Sequence, residues 1–366
     1  TMRSGQFDID YAKQVTKLAD YSGVAITVSN DYEINDTAKQ TYLTNVLQSY
    51  GADAYKQVTD RDTVADGDYV KVDYTGYKDG KAFDGGSATD VMLDVTNNSQ
   101  VGGSSFIDGF TKPIIGAKVG DKVKGDVTFP EDYGNDDLNG QTVTFEYTVK
   151  GIYSADPVAL ADMTDEQVNT VFGKAGVTTN AQLTTQIEKD LKQQLYSAEV
   201  DKIKSYMIDN STVEIPDEYL QARLNEYIAS FTKENVKDGQ TLKKYLKSNY
   251  NMTVDQATEK WKENLTDQIK TEFIFGLIAE KENIKMDDDA FNSYVDYIVS
   301  ASNGQFSKAS EVYKYFGSGH KDEGKTYLKN QYLVNKAIDT VTEKANVTFE
   351  DGSAAPDTSS SSADAE

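Results

Sequence analysis

The chain has 366 residues, a formal net charge of −23 at pH 7, 38% hydrophobic residues, one histidine and no cysteine. That acidity disfavours sequence-independent binding to nucleic-acid phosphates, and the lack of cysteine excludes disulfides, thiolate catalysis and zinc–thiolate sites. The length allows two or three domains with packed cores, and no apolar run approaches the ~18 residues needed to span a bilayer.

The first residues, Thr1-Met2-Arg3-Ser4-Gly5, include no initiator methionine and no signal-like apolar stretch, so a removed leader or a trimmed start is expected. Val24, Ile26 and Val28 alternate and predict a strand over Gly23 to Ser29. Asn35-Asp36-Thr37 offers caps for a helix over Ala38 to Tyr50, with Tyr42, Val46 and Tyr50 on one stripe. Asp66-Gly67 is a turn signal, and beyond it the texture changes to short alternating runs with frequent glycine. Tyr69 to Tyr74, Val91 to Val95, Lys122 to Phe129 and Thr142 to Ile152 predict a small antiparallel β domain of roughly 85 residues.

Beyond Pro157 the periodicity is helical. Asn180 is read as a cap before Leu183, Ile187, Leu191, Leu195, Ile203 and Met207 at helical spacing. Pro216 opens a second helix through Leu220, Leu224, Tyr227 and Phe231. A third carries Trp261, Leu265, Ile269, Phe273 and Leu277, and a fourth follows Asp287-Asp288-Asp289 with Phe291 and Val295. The last runs from about Glu323 to Asn346. No fixed repeat period is present, which argues against a solenoid. His320, between Gly319 and Lys321, reads as a solvated loop residue. Residues 350–366, rich in Ser, Ala and Asp, read as a disordered acidic tail.

Four segments in the β region carry the functional signal. They are Val72-Asp73-Tyr74-Thr75-Gly76, Phe83-Asp84-Gly85-Gly86, Phe106-Ile107-Asp108-Gly109-Phe110 and Phe129-Pro130-Glu131-Asp132-Tyr133-Gly134. In that order the stretch resembles the FKBP-type peptidyl-prolyl isomerases. The resemblance implies an aromatic pocket with no nucleophile, no metal and no cofactor. Residue by residue, it implies Tyr74 as a pocket tyrosine, Phe83 as a wall and Asp84 as a polar rim group. Phe106 and Ile107 form the apolar pair whose second backbone N–H binds a ligand carbonyl. Phe110 is the floor, Tyr133 the rim hydroxyl and Phe145 the wall of the last strand. Val91 stands where that family usually has an aromatic, and Asn97 to Ser104 looks like an insertion.

The chemistry such a pocket serves is rotation about an amide bond. The uncatalysed barrier at X–Pro is about 18–20 kcal/mol, because the twisted amide loses resonance. A catalyst lowers it by binding the twisted form better than either planar form. An apolar, water-poor pocket with one or two fixed donors meets that need without a general acid or base.

The flanks resemble trigger factor. Asp20-Tyr21-Ser22-Gly23-Val24 and the helix after it resemble the lead-in to its isomerase module. Met207-Ile208-Asp209-Asn210 through Val213-Glu214-Ile215-Pro216 resembles a join between helices of its carboxyl-terminal chaperone body. The fold class expected is therefore α+β, a small antiparallel FKBP-like β domain joined to a mostly α-helical body. The expected domains are 1–66, a strand and helix segment packing with the helical body; 67–153, the isomerase domain; 154–349, the helical chaperone domain; and 350–366, the tail. The implied function is prolyl isomerisation and folding assistance for unfolded or exported, proline-containing polypeptides. A non-catalytic holding chaperone with a vestigial FKBP domain is the alternative. The ribosome-docking segment of trigger factor has no counterpart, so no ribosome docking is expected. Exported, lipid-anchored relatives imply an extracellular or cell-surface location in a Gram-positive bacterium, with a lipid anchor upstream of the given sequence; a cytoplasmic protein is the alternative.

Two acidic clusters invite a metal reading. Asn135, Asp137, Asn139, Gly140 and Glu146 fall at calcium-loop spacing, but Val143 to Val149 reads as a strand where an exiting helix is needed, so a hairpin turn is expected. Asp287 to Asp289 reads as a helix start complementing the dipole.

Overall fold

The computed structural model describes residues 1–50 and 52–359. A short helix α1 (Tyr11–Gln14) runs into strand β1 (Val15–Lys17), followed by β2 (Ala25–Val28). Helix α2 (Asp36–Leu47) starts at Asn35, whose side chain accepts from the Ala38 N–H at 2.8 Å. The sheet strands follow as β3 (Tyr69–Lys78), β4 (Lys81–Asp94), β5 (Ser99–Gln100), β6 (Lys122–Thr128) and β7 (Thr142–Tyr153). Helices α3 (Asp165–Phe172) and α4 (Asn180–Asn210) lead to β8 (Thr212–Val213). Then come α5 (Asp217–Asn235), α6 (Leu242–Tyr250), α7 (Val254–Lys281), α8 (Asp288–Ser300), α9 (Ala309–Phe316) and α10 (Lys321–Glu343), with β9 (Asn346–Phe349) last. The α+β class expected from the sequence is the class observed.

The chain divides into two compact units, residues 34–191 and residues 1–33 together with the chain from Lys192 onward. The first is built on a five-stranded antiparallel sheet in the order β5-β4-β3-β7-β6. Alternation along β3 and β7 buries Val70, Val72, Tyr147, Val149 and Ile152 on one face with Leu93, Phe110 and Ile114. A second cluster in the same unit joins Leu43 and Leu47 of α2 to Val168 and Phe172 of α3 and to Leu183 and Ile187 of α4.

That cluster corrects the expected boundaries. The stripe of α2 packs on α3 and the start of α4, so 34–66 belongs with the sheet unit and not with the helical body. The sheet also begins earlier than Gly67, because Val58 N–H donates to Ile152 O at 2.8 Å and Val119 N–H donates to Asp62 O at 2.9 Å. Arg61 then clamps Asp68 with both guanidinium nitrogens, at 2.6 and 2.5 Å.

The second unit is helical, with α5, α7 and α10 around Ile269, Phe273, Ile274, Phe275, Ile278 and Ala337. Two small pairings tie the front of the chain into it. β1 runs antiparallel to β8, and β2 runs parallel to β9 with Ile26 opposite Val347 and Val28 opposite Phe349. Residues 350–359 are ordered, which corrects the tail expectation: Ala355 N–H donates to Val347 O at 3.0 Å, and the buried Thr358 hydroxyl donates to Glu199 at 2.7 Å. Residues 360–366 lie outside the described residues.

Four local readings resolve simply. Asn180 is the first residue of α4 and not its cap; its amide donates to Leu160 O and Met163 O at 2.7 and 2.8 Å, while Thr179 Oγ1 accepts from the Gln182 N–H. Asp287 caps α8 by accepting from the Ala290 N–H at 2.7 Å. The Asn135–Gly140 segment is a turn held by its own side chains, with Asn139 Oδ1 accepting from the Gly134 N–H and Asn135 Oδ1 from the Asp137 N–H, both at 3.0 Å. His320 is exposed at the residue before α10.

Candidate functional site

The four motifs converge on one end of the sheet. Tyr74 leaves β3 beside a bulge, since Val72 faces Val91 but Tyr74 faces Ala88, leaving one extra residue on β4. The Phe83–Gly86 motif lies at the next register break, between Ser87 opposite Thr75 and Ala82 opposite Tyr77. Phe145 comes from β7, opposite Gly76. Phe106 to Phe110 form a turn in which the Phe110 N–H donates to Ile107 O at 3.2 Å and Gly109 takes a φ of +83°.

The rings pack as a connected basin. Phe106 and Phe110 stack with centroids 4.3 Å apart. Tyr74 and Phe145 meet Phe110 edge-on at 5.0 and 4.9 Å, and Phe83 meets Phe145 at 5.9 Å. Such offset and edge-on pairs suit the ring quadrupoles. Phe110 and Phe145 are buried, whereas Tyr74, Phe83, Phe106 and Ile107 are half-buried. Tyr133 stands at the rim, 47% exposed, with its ring 4.6 Å from Phe129.

The glycines of the motifs have a steric cause. A β-carbon at Gly76 would lie 2.6 Å from the Phe83 ring and 2.7 Å from that of Phe145, and one at Gly86 would lie 2.5 Å from Phe83. Both positions must be bare for Phe83 to lie across the basin.

The polar groups are few. Neither the Tyr74 nor the Tyr133 hydroxyl has a hydrogen-bond partner among the described residues, and the Ile107 N–H has none either. Burial raises the Tyr74 pKa above the ordinary phenol value and Tyr133 adds to the rise, so the Tyr74 hydroxyl stays a protonated donor. Asp84 is exposed and makes no hydrogen bond or ion pair among the described residues, and Val91 is half-buried against the same core.

Three contributors have no role in the motif reading, and two of them, Tyr147 and Asn98, lie outside the motifs. Phe129 bridges Phe83 and Tyr133, with centroids at 6.2 and 4.6 Å. Tyr147 donates its hydroxyl to the Phe110 carbonyl. Asn98 ties down the Phe106–Thr111 segment through its side chain. Alternation along β7 places Tyr147 in the core, but not its hydrogen bond.

The helical unit presents a separate aromatic surface. Tyr227, Phe231 and Trp261 cluster with centroids 4.8 to 6.3 Å apart, and Phe316 stacks on Tyr327 at 5.6 Å. Tyr227, Phe231, Phe316 and Tyr327 line an open hollow of about 220 Å³.

Comparison with known proteins agrees with the two halves. The family model for FKBP-type peptidyl-prolyl cis-trans isomerase matches residues 61–150, and that for the bacterial trigger factor C-terminus matches residues 178–343. The trigger factor of Agathobacter rectalis is 28% identical over 328 residues, covering 88% of this chain and 69% of that protein. The trigger factor of Clostridium botulinum is 28% identical over 276 residues, covering 75% and 62%. The chain thus spans about two thirds of the length of these relatives. A solved structure concerned with promiscuous substrate recognition by the trigger factor chaperone is 18% identical, with a TM-score of 0.47 over 89% of this chain and 72% of that one.

The sheet unit therefore holds an FKBP-type peptidyl-prolyl cis-trans isomerase domain, and its partner in the chain is a helical chaperone body. Together the two matches make the chain similar to trigger factor over most of its length.

Proposed function

We propose that this chain accelerates proline-limited folding of unfolded polypeptides in the aromatic basin, while its helical body holds the same clients. The observation that carries the reading is the Phe110–Phe145–Tyr74 basin with unpaired donors at its edge, the Ile107 N–H and the Tyr133 hydroxyl. A proline ring seats on Phe110 between Phe83, Phe106 and Phe145. The Ile107 N–H donates to a carbonyl beside the proline, and Tyr74 and Tyr133 offer hydroxyls to the neighbouring backbone. In the twisted transition state the amide nitrogen regains its lone pair and the C–N bond loses double-bond character. Water-poor walls then favour the less polarised, twisted amide, and fixed donors hold the flanking carbonyls without reorganising. No proton moves and no bond is broken. Asp84 contributes charge at the rim and makes no hydrogen bond to any of these groups.

The clients are unfolded, proline-containing chains, recognised in the helical unit by exposed aromatics such as Tyr227 and Phe316, 40% and 37% exposed. We further propose a location outside the cytoplasm of a Gram-positive bacterium, with a lipid anchor upstream, as the sequence resemblance to exported, lipid-anchored relatives implies. The first ~30 residues of the natural precursor test it, since an apolar leader of that length directs export.

The two activities separate by mutation. In the full chain, Phe110→Ala abolishes acceleration of a proline-limited refolding reaction and leaves suppression of client aggregation intact. Tyr227→Ser with Phe316→Ser does the reverse. Joint loss of both activities in either variant, with the fold retained, contradicts the assignment.

A further inference from the structure

The segment between β4 and the Phe106–Phe110 turn reads as an insertion by sequence, yet it doubles back onto the turn it precedes. Asn98 sits there in the left-handed region at φ +49°, a conformation that Asn tolerates better than most residues. Its main-chain carbonyl accepts from the Phe106 N–H at 2.9 Å. Its side chain then spans the turn. Nδ2 donates to Phe106 O at 3.2 Å and to Ile107 O at 2.9 Å, and Oδ1 accepts from the Thr111 N–H at 3.0 Å. Two carbonyls on one side and a main-chain N–H on the other fix which end of the amide is nitrogen.

The consequence follows from peptide planarity. The Phe106 carbonyl and the Ile107 N–H belong to one rigid trans peptide and point in opposite directions. A donor that holds the carbonyl on one side turns the N–H to the other. That N–H has no acceptor among the described residues, so it is aimed and unspent. The far end of the segment is held without Asn98, by Tyr147 donating to the Phe110 carbonyl. Removing the Asn98 amide therefore frees the Phe106–Ile107 peptide while the Phe110 floor stays in place.

We infer that Asn98 is a positioning residue for the isomerase reaction, holding the Phe106–Ile107 peptide plane so that the Ile107 N–H meets the substrate carbonyl. The inference rests on the reading of the basin as the isomerase site. Asn98 itself touches no substrate; it acts through the peptide it orients.

The test uses the full chain with Asn98→Asp and Asn98→Gly. Asp keeps the acceptor for Thr111 but sets a carboxylate against two carbonyls. Gly keeps the left-handed backbone at no steric cost and deletes the side chain. The readouts are kcat/KM on a proline tetrapeptide and the amide resonance of Ile107 as that peptide is added. Expected is a fall in kcat/KM of about tenfold or more, less than the roughly 10²–10³-fold cost of deleting a fixed donor, because the N–H is loosened and not removed. The wild-type Ile107 amide shifts downfield on peptide addition, and the variants' amide does not. An unchanged kcat/KM in a folded variant overturns the inference, as does a wild-type Ile107 amide that ignores the peptide. If one variant does not fold, the other decides. If neither folds, the wild-type titration decides. A wild-type chain with no isomerase activity, yet with an Ile107 amide that responds only when Asn98 is present, instead contradicts the functional reading and leaves the Asn98 assignment standing.

Discussion

The wholly buried hydroxyl of Tyr147 donates to the main-chain carbonyl of Phe110, so a side chain of the sheet holds the backbone at the floor of the basin. Burial raises the Tyr147 pKa well above the ordinary phenol value, with a smaller contribution from Tyr74, so the donor remains protonated. Tyr147→Phe keeps the ring and strands a buried carbonyl, at a cost of about 1–3 kcal/mol. A lower urea midpoint for the sheet unit, with an unchanged denaturant slope, is the expected result. An unchanged midpoint contradicts it.

The bare positions beside Phe83 make a second prediction. Gly86→Ala places a methyl group 2.5 Å from the Phe83 ring, and Gly76→Ala places one 2.6 Å from the same ring. Overpacking of this kind costs about 1–3 kcal/mol. The ring must swing from the wall, so kcat/KM on proline peptides falls in both variants. Normal kinetics in a stable Gly86→Ala protein would show that Phe83 is no wall.

Acid sensitivity of the sheet unit follows from Asp68. Burial pushes its pKa up, but the Arg61 clamp and the Ala65 N–H outweigh burial and hold it below the ordinary carboxylate value. Near pH 4 the unfolded chain, with an Asp pKa of about 3.9, then binds more protons than the folded one. The stability Asp68 adds is complete above about pH 5 and is lost as pH falls through its lowered folded value. Urea midpoints of Asp68→Asn measured from pH 6 to pH 3 should decline less steeply than those of the wild type. Parallel curves would remove Asp68 from the account.

In the helical unit Arg223 and Glu272 form a buried ion pair at 2.7 Å, and Glu272 also accepts from Gln331 at 2.8 Å. Glu272 pushes the pKa of Arg223 up against the effect of burial, so the guanidinium stays charged. Removing one partner of such a pair costs about 3–5 kcal/mol, because the other charge is left buried and alone. Arg223→Met and Glu272→Leu should each lower Tm sharply, and the double variant should recover most of the loss. Additive losses would mean that the two charges do not act as a pair.

The sequence carried the sheet and the rings well, for physical reasons. Alternation in Tyr69 to Tyr74 and Thr142 to Ile152 reports directly on which face is buried, and Tyr74, Phe83, Phe106, Phe110 and Phe145 lie in short motifs of restricted spacing. Asn98 stayed illegible because its work is done by one amide across 8 to 13 residues, with no period to betray it. The placement of α2 was hidden for another reason: an apolar stripe says that a helix packs, not on which core. Strand β9 pairs with β2 across more than 300 residues, and Thr358 is one buried residue in a polar tail; neither has a local signature. Helix α3 was missed although Thr164 and Gln167 form a readable capping box.

The central claim is that the aromatic basin catalyses rotation about prolyl bonds, and cis–trans exchange in a proline tetrapeptide measures that rotation directly. With a catalytic amount of the full chain, exchange spectroscopy should show the two isomers interconverting far faster than the uncatalysed tens to hundreds of seconds. The rate should rise linearly with protein and drop at least about tenfold in Phe110→Ala. An exchange rate left at the uncatalysed value by the folded wild-type chain would contradict the account.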